Sequence, residues 1–403
     1  MSRKIAYLVA YEKPNGNPLL HTQVYDLLKV IKAKDTQLGI HIIFVLSLIT
    51  FLKNLIPILK IKHELERGGI KVKFILDFHW VRSIYMTPLQ VQQMRKRMVP
   101  KLGKCLDDID PDLIHCRSYL AQDIAVECDK TPTIFDPRSS YIDECLFLKL
   151  FKRNSNEHRW WTNREQELIQ RSRNTVVISL PFIGEIKAKS QRTPVYIPLI
   201  SDVRTLVRNS KKRTQVRRKL KLNEEFTFIF VGQIGKWHQI DLIVDTYSKL
   251  DSFFTKPTKL IIVGVKDKKF SKILSSEQII PIQPVPHQEI AKYYCASDAG
   301  LLIIPQGSSS HRNILSTKFT EYCAAGLVPI VNVECGGASE IIKKYNCGCV
   351  IDTENLSSIE HASHSISKNF ANMSINARKA AKNEFDIDLI SGKYHELYMN
   401  RKL

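Results

Sequence analysis

With 403 residues, 44% of them hydrophobic, the chain is long enough for two or three domains with full cores, which excludes disorder along its whole length. Sixty Lys and Arg against 40 Asp and Glu leave a formal net charge of +20, which points to a polyanionic partner. The nine cysteines stand singly apart from Cys347 and Cys349 and show no CxxC or Cys/His ligand spacing, so they read as reduced, mostly buried thiols of a cytosolic protein.

The chain opens with MSRKIAYLVAYEK, which runs directly into an apolar strand at residues 4–10 without the long apolar core and cleavage site of a signal peptide. Leu20, Val24, Leu27, Leu28 and Ile31 then recur at helical spacing. The apolar stretch 40–59 is interrupted by His41, Lys53, Asn54 and Pro57, so its longest uncharged piece falls short of the roughly 20 residues a bilayer span needs. It predicts a buried strand followed by a helix, with a membrane-dipping segment as the alternative. Runs at 72–76, 113–115, 133–135 and 176–179 continue the strands, with helical segments between most of them. A second series follows at 226–231, 259–263, 299–304, 329–331 and 349–351. No short repeat or low-complexity tract interrupts this order, which argues against solenoids and propellers. The alternation predicts an α/β chain of two Rossmann-like, doubly wound domains. Residues 1–200 form the first and 201–385 the second, with a helical tail at 386–403 that packs back across the hinge.

Charge concentrates at Arg95, Lys96, Arg97, Lys101 and Lys104, and again over residues 204–221, which carry nine cations and no acid. Such runs suit an anionic lipid surface or nucleic-acid phosphates, and a solvated helix or linker serves equally as an explanation. Aromatics are not interleaved with the cations and no recognition motif accompanies them, so no nucleic-acid partner is expected.

In doubly wound sheets ligands bind beyond the carboxyl ends of strands, so the loops there carry the chemistry. Three in the second domain stand out. The first is VGQIGKWH at 231–238, where Gly232 and Gly235 let the backbone approach an anion and Lys236 and His238 add donors. A plain glycine turn is the competing explanation. The second is PQGSSSHRN at 305–313, whose His311, Arg312 and Asn313 can donate to phosphate or sugar hydroxyls. The third is STKFTEYCAAG at 316–326, a short helix with Ser316 as its cap and Gly326 as its stop. Lys318, Glu321 and Ala325 share one face and Phe319, Tyr322 and Cys323 the other; on spacing alone Lys318 and Glu321 form an exposed ion pair.

At this third motif, STKFTEYCAAGLVPIV resembles the retaining GT-B-fold glycosyltransferases of family four, the group 1 glycosyl transferases. VGQIGKWHQIDLIVDTYSKL resembles that family's glycine loop and helix, YYCASDAGLLIIP its aspartate and buried strand, and ECGGASEIIKKYNCGCVID its di-glycine turn. In the first domain, DPDLIHCRSYLAQDIA and TIFDPRSSYIDE resemble members that build bacterial surface polysaccharides. The resemblance implies two domains facing a central cleft and a sugar moved, with retention, from a nucleotide-sugar to a glycan or lipid-diphosphate-linked acceptor. It implies that Glu321 binds the ribose hydroxyls of the donor. Asn313 stands where the family has a glutamate against the transferred sugar, and Gln233 and His238 stand where it has Arg and Lys. Diphosphate charge is then met by Lys236, His238, Arg312 and Lys318, which stabilise the leaving group without a metal or other cofactor; no Asp-x-Asp motif is present. The acceptor falls to the first domain, with the loop around Gly16 and the cluster Asp136, Arg138, Asp143 and Glu144, although Asp136 and Arg138 also suit a simple strand-end salt bridge. Together with the charge, this predicts a cytoplasmic enzyme, peripheral on an anionic inner leaflet. Another GT-B enzyme, such as a sugar-nucleotide epimerase, and a non-catalytic polyanion-binding protein are the alternatives.

Overall fold

The structure is a computed structural model that describes residues 3–79, 81, 84–266, 275–307 and 309–400. The chain divides into two compact units: Met1–Ile197 with Ile390–Leu403, and Pro198–Leu389.

Unit 1 is a seven-stranded parallel sheet built from β1 (Lys4–Ala10), β2 (Gly39–Ser47), β3 (Ile70–Asp77), β4 (Leu113–Arg117), β5 (Thr133–Asp136), β6 (Asn174–Val177) and β7 (Val195–Tyr196), in the order β3-β2-β1-β4-β5-β6-β7. Residues 5–10 are all buried, which is why β1 reads as a continuous apolar run rather than an alternating one. The apolar run at 176–179 straddles a boundary: β6 ends at Val177, and the helix Leu180–Ser190 follows with a proline in its first turn.

The stretch 40–59 is a buried strand followed by helix, as its pattern predicts, with two helices in place of one. The strand is buried, but the helices Leu48–Lys53 and Leu55–Arg67 that follow leave Ile49, Leu52, Leu55, Ile56 and Leu59 exposed. Among the described residues no helix is long and apolar enough to cross a membrane.

Unit 2 holds β8 (Phe226–Val231), β9 (Thr258–Val263), β10 (Ile279–Ile282), β11 (Ala299–Leu302), β12 (Val328–Asn332) and β13 (Cys349–Ile351), a parallel sheet in the order β10-β9-β8-β11-β12-β13. Strand β10 is short and carries Pro281, which its edge position tolerates. The helix Leu356–Glu384 buries Ile359, Ala362, Ile366 and Met373 in the core shared with β8, β9 and β11.

Part of each basic run is internal wiring rather than free charge. Arg95 and Arg97 lie in the helix Pro88–Ile109 and reach the buried carboxylates of Asp123 at 2.6 Å and Asp77 at 2.9 Å, leaving Lys96 and Lys104 exposed. In the second run, Arg208 and Arg213 each lie 2.9 Å from Asp298. Arg217, at the end of the helix Ser210–Lys219, is buried and donates to the carbonyls of Glu225 at 2.9 Å and Ala296 at 3.0 Å. Arg204 pairs with Asp388. Four of the nine cations are thus spoken for, and the polyanion reading of this segment loses that share of its charge.

The helix Ile387–Met399 closes the chain, and from Ile390 onward its residues belong to unit 1. There Tyr398 Oη lies 2.7 Å from His115 Nδ1, and Arg3 donates to the Met399 carbonyl at 2.8 Å. All nine cysteines are free; seven are buried and Cys105 and Cys128 are half-buried.

Candidate functional site

The strand order reverses between β8 and β11 in unit 2 and between β1 and β4 in unit 1. In an open parallel sheet such a reversal opens a crevice beyond the strand ends, because neighbouring connections leave on opposite faces.

In unit 2 the loop after β8 begins at Gly232, with φ +148°. A Cβ there would stand 2.4 Å from Lys318 Cε, so only glycine lets the lysine cross the strand end. Gly235 and His238 exchange two backbone bonds of 3.0 and 3.2 Å, which folds the loop into a tight turn. Gln233, Gly235 and Lys236 are exposed on this turn and His238 is half-buried.

The helix Thr317–Ala325 is set by its ends and by one ring. Ser316 accepts from the Lys318 backbone N–H at 3.3 Å, and Gly326, with φ +71°, stops the helix. Tyr322 lies against Gly300, where any side chain would collide with the ring, and its Oη donates to the Leu301 carbonyl at 3.2 Å. With the helix fixed on β11, Lys318 and Glu321 diverge instead of forming the pair their spacing suggests. Lys318 Nζ lies 3.0 Å from His238 Nε2, while Glu321 accepts from Tyr294 Oη at 2.7 Å and lies 2.9 Å from His287 Nε2. Ala325 is buried rather than on a polar face.

The electrostatics follow from these contacts. Burial, with Lys318 and His311 nearby, pulls the His238 imidazole down to about 2, so it is neutral at physiological pH. Its Nε2 then accepts from Lys318, and its Nδ1, which has no partner among the described residues, carries the proton. Burial also lowers Lys318. The hydrogen bond to Glu321 raises His287 above its ordinary value.

The loop after β11 is pinned by Asn332, which bonds the Ile304 backbone in both directions at 2.7 and 3.1 Å. His311 packs edge-on against Trp237 at 5.0 Å, which joins this loop to the one after β8. Burial brings His311 down to about 4. Arg312 is exposed and Asn313 buried. Gly336 gives the Arg312 carbonyl room, since a Cβ there would stand 2.6 Å from it.

In unit 1, Gly16 is exposed with φ +68° and open space around it. Asp136 is buried at the end of β5, and Arg138 Nη1 lies 3.2 Å from it, so the strand-end salt bridge exists. His115 Nε2 stands 3.5 Å from the same carboxylate. Burial alone would raise Asp136, but Arg138, His115 and Arg117 outweigh it and bring the group down to about 2. Asp143 and Glu144 open the helix Tyr141–Phe147; Glu144 accepts from Tyr85 Oη at 3.1 Å and is raised by burial.

Residues 212–384 match the family model described as Glycosyl transferases group 1. That match lies wholly within unit 2. The fold is GT-B, with both units Rossmann-like, and solved structures share it along nearly the whole chain. Sucrose-phosphate synthase from Thermosynechococcus elongatus gives a TM-score of 0.71 at 12% identity, covering 98% of each chain. HepE from Anabaena, solved with UDP-glucose, gives 0.67 at 14% identity and 98% of each chain. The catalytic domain of starch synthase IV from Arabidopsis thaliana, bound to ADP and acarbose, gives 0.67 at 11% identity and 99% of each chain. No curated protein matches the chain by sequence.

The group 1 glycosyltransferase segment contains every strand-end residue described for unit 2, and none of those in unit 1. Two of its residues escape a reading by motif, His287 and Tyr294. They lie in the helix Pro286 caps, His287–Ala296, 34 and 27 positions before Glu321. Reading β10 as a strand would have marked the segment after it as another strand-end loop. Among the described residues no group of three or more His, Cys, Asp or Glu side chains is arranged to hold a metal ion.

Proposed function

We propose that the chain transfers a sugar, with retention, from a nucleotide-sugar bound by unit 2 to a glycan or lipid-diphosphate-linked acceptor bound by unit 1, in the building of cell-surface polysaccharide. The observation that carries this reading is the match of residues 212–384 to the group 1 model, because that segment spans the loops after β8 and β11 and the helix bearing Lys318 and Glu321. HepE with UDP-glucose and starch synthase IV with ADP support a nucleotide-sugar as the donor. Retention and the polysaccharide context rest on the resemblance of STKFTEYCAAGLVPIV and of the first-domain motifs.

Glu321 is the residue assigned to the ribose. Tyr294 and His287 each hold one of its carboxylate oxygens, which fixes the plane of the group and leaves lone pairs for two sugar hydroxyls. Lys318 and the backbone N–H groups near Gly232 are assigned to the diphosphate, with His238, whose Nδ1 is buried, holding the lysine, and with Arg312 and Lys236 as exposed cations on the adjoining loops. As the bond from the anomeric carbon to the diphosphate breaks, negative charge grows on the leaving oxygen. Preorganised donors stabilise that charge without reorganising, which is the largest contribution expected of such a site. Asn313 is assigned to the transferred sugar, and Gln233 and Gly235 line the donor loop. In unit 1 Asp136 and Arg138 are assigned to the catalytic end of the acceptor, with Gly16, Asp143 and Glu144 along it. With this donor set the reaction needs no divalent metal, and activity is expected to persist in a chelator.

Calorimetric binding of UDP, GDP, ADP and CMP, with Glu321→Ala as control, tests the reading before any acceptor is known. Saturable binding of one nucleotide, lost in the variant, supports it; no binding of any of the four overturns it.

A further inference from the structure

We propose that the helix pair Leu48–Lys53 and Leu55–Arg67 of unit 1 seats the protein on an anionic lipid bilayer. This deepens the reading of a lipid-linked acceptor and rests on it for its purpose, though not for its physics.

The observation is an apolar surface that the fold does not cover. Between residues 49 and 59, Ile49, Leu52, Leu55, Ile56 and Leu59 are exposed, with Leu52 at 59% and Ile56 at 69%. This is not a helix pair lying loosely on the sheet, because its other side is committed. The Phe51 ring packs on Phe74 of β3 at 5.3 Å, and Ile58 and Leu65 are each 1% exposed. Ser47 caps the first helix, and Asn54 at the junction donates to the Thr50 carbonyl at 2.8 Å and accepts from Asn15 at 3.2 Å. With the inner face fixed, the outer side chains keep their outward aim. A contiguous apolar patch on a folded surface marks an interaction site.

Charge decides what covers it. From residue 36 to residue 63 there is no Asp or Glu, and Lys53 and Lys60 are exposed among the apolar side chains. The neighbouring loop, tied in by Asn15, adds exposed Lys13 and Leu19. The first acids of the second helix, Glu64 and Glu66, already pair with Lys29 and Lys62. A second copy of the chain would bring the same cations to the contact, on a molecule of net charge +20. An anionic bilayer instead offers hydrocarbon to the leucines and isoleucines and negative headgroups to the lysines, whose long stems let the charge stay at the surface. The loop that Asn15 joins to this surface holds Gly16, so docking would bring the proposed acceptor loop beside the headgroups.

Flotation of the full chain with phosphatidylcholine vesicles, with and without phosphatidylglycerol, tests the assignment. Binding is expected only with phosphatidylglycerol and is expected to weaken as salt rises. The double variant Leu52→Ser/Ile56→Ser and the double variant Lys53→Glu/Lys60→Glu are each expected to weaken it about tenfold or more. Circular dichroism melts and nucleotide calorimetry on the same samples establish that the variants fold. Failure of the wild type to bind anionic vesicles, or equal binding by Leu52→Ser/Ile56→Ser, overturns the docking surface whatever the nucleotides do. A wild-type dimer that dissolves in Leu52→Ser/Ile56→Ser without vesicle binding gives the patch to a second copy and also overturns it. Vesicle binding lost in both variants, with no nucleotide bound by the wild type, supports the docking surface while removing the transferase reading.

Discussion

Lys318 Nζ stands 3.0 Å from His238 Nε2, so a lysine from the helix after β11 and a histidine from the loop after β8 hold each other beside Gly232. The histidine accepts from the lysine and presents its own N–H on the far side of the ring. Replacing Lys318 by Met removes a charge-assisted donor and is expected to weaken nucleoside diphosphate binding by about tenfold to a hundredfold. Calorimetry with the diphosphate and with its parent nucleoside checks this, since the nucleoside should be spared.

Gly232 and Gly235 share one loop but not one role. A methyl at Gly232 would meet Lys318 at 2.4 Å, whereas one at Gly235 meets nothing within 4 Å. Gly232→Ala should therefore displace Lys318 and cost donor binding about tenfold or more, and Gly235→Ala should leave it near the wild type. Equal effects at the two positions would remove the steric argument.

The carboxylate of Glu321 is held from two sides, and the two supports predict graded losses. Glu321→Ala is expected to lower turnover by about 100-fold, roughly 3 kcal/mol of transition-state stabilisation. Tyr294→Phe leaves the carboxylate in place with one donor fewer, and about tenfold is expected, carried more by the donor KM than by kcat. Steady-state kinetics on both variants separates the two.

Acid lability should trace in part to His41. It is buried on β2, and burial with Lys71, Lys4 and Lys73 around it brings its imidazole down to about 4. The unfolded chain takes up a proton near the ordinary histidine value of about 6.5, and the folded chain refuses it until the pH is much lower. Stability is therefore fully present above about 6.5, falls as pH drops below it and levels off once the folded histidine protonates. Between pH 7 and pH 5 the loss is on the order of 1 kcal/mol. Urea midpoints at the two pH values should differ less in His41→Leu than in the wild type.

Tyr398 is fully buried in unit 1, bonded to His115 and packed with Tyr394. Tyr398→Ala is expected to destabilise that unit by about 3–5 kcal/mol, the usual cost of deleting a buried aromatic ring. Denaturation followed by probes in each unit should show the transition of unit 1 shifted and that of unit 2 unchanged.

Strands such as Phe226–Val231 and Thr258–Val263 announce themselves because parallel strands covered on both faces are unbroken apolar runs. Strand β10 does not, because four residues with a proline look like a loop until a neighbour claims them. The cap and stop of the helix Thr317–Ala325 are legible for the same reason, being local chemistry at Ser316 and Gly326. What the sequence hides is partnership at a distance. Arg217 reads as one cation in a basic run, yet it is buried against carbonyls from 225 and 296. Lys318 and Glu321 read as a pair, yet their partners come from 238, 287 and 294. Spacing along a helix gives direction, and only the tertiary fold supplies what lies in that direction.

The assignment of residues 390 onward to unit 1 has a consequence for biosynthesis. A ribosome making this chain delivers all of unit 2 before the segment that finishes the unit begun first. During that interval His115, which packs on Tyr7, lacks the rings of Tyr394 and Tyr398 that later flank it. Domains usually fold in the order in which they emerge. Here the later-made unit can close first, and losing the segment from residue 390 onward would damage the unit whose strands were made before unit 2.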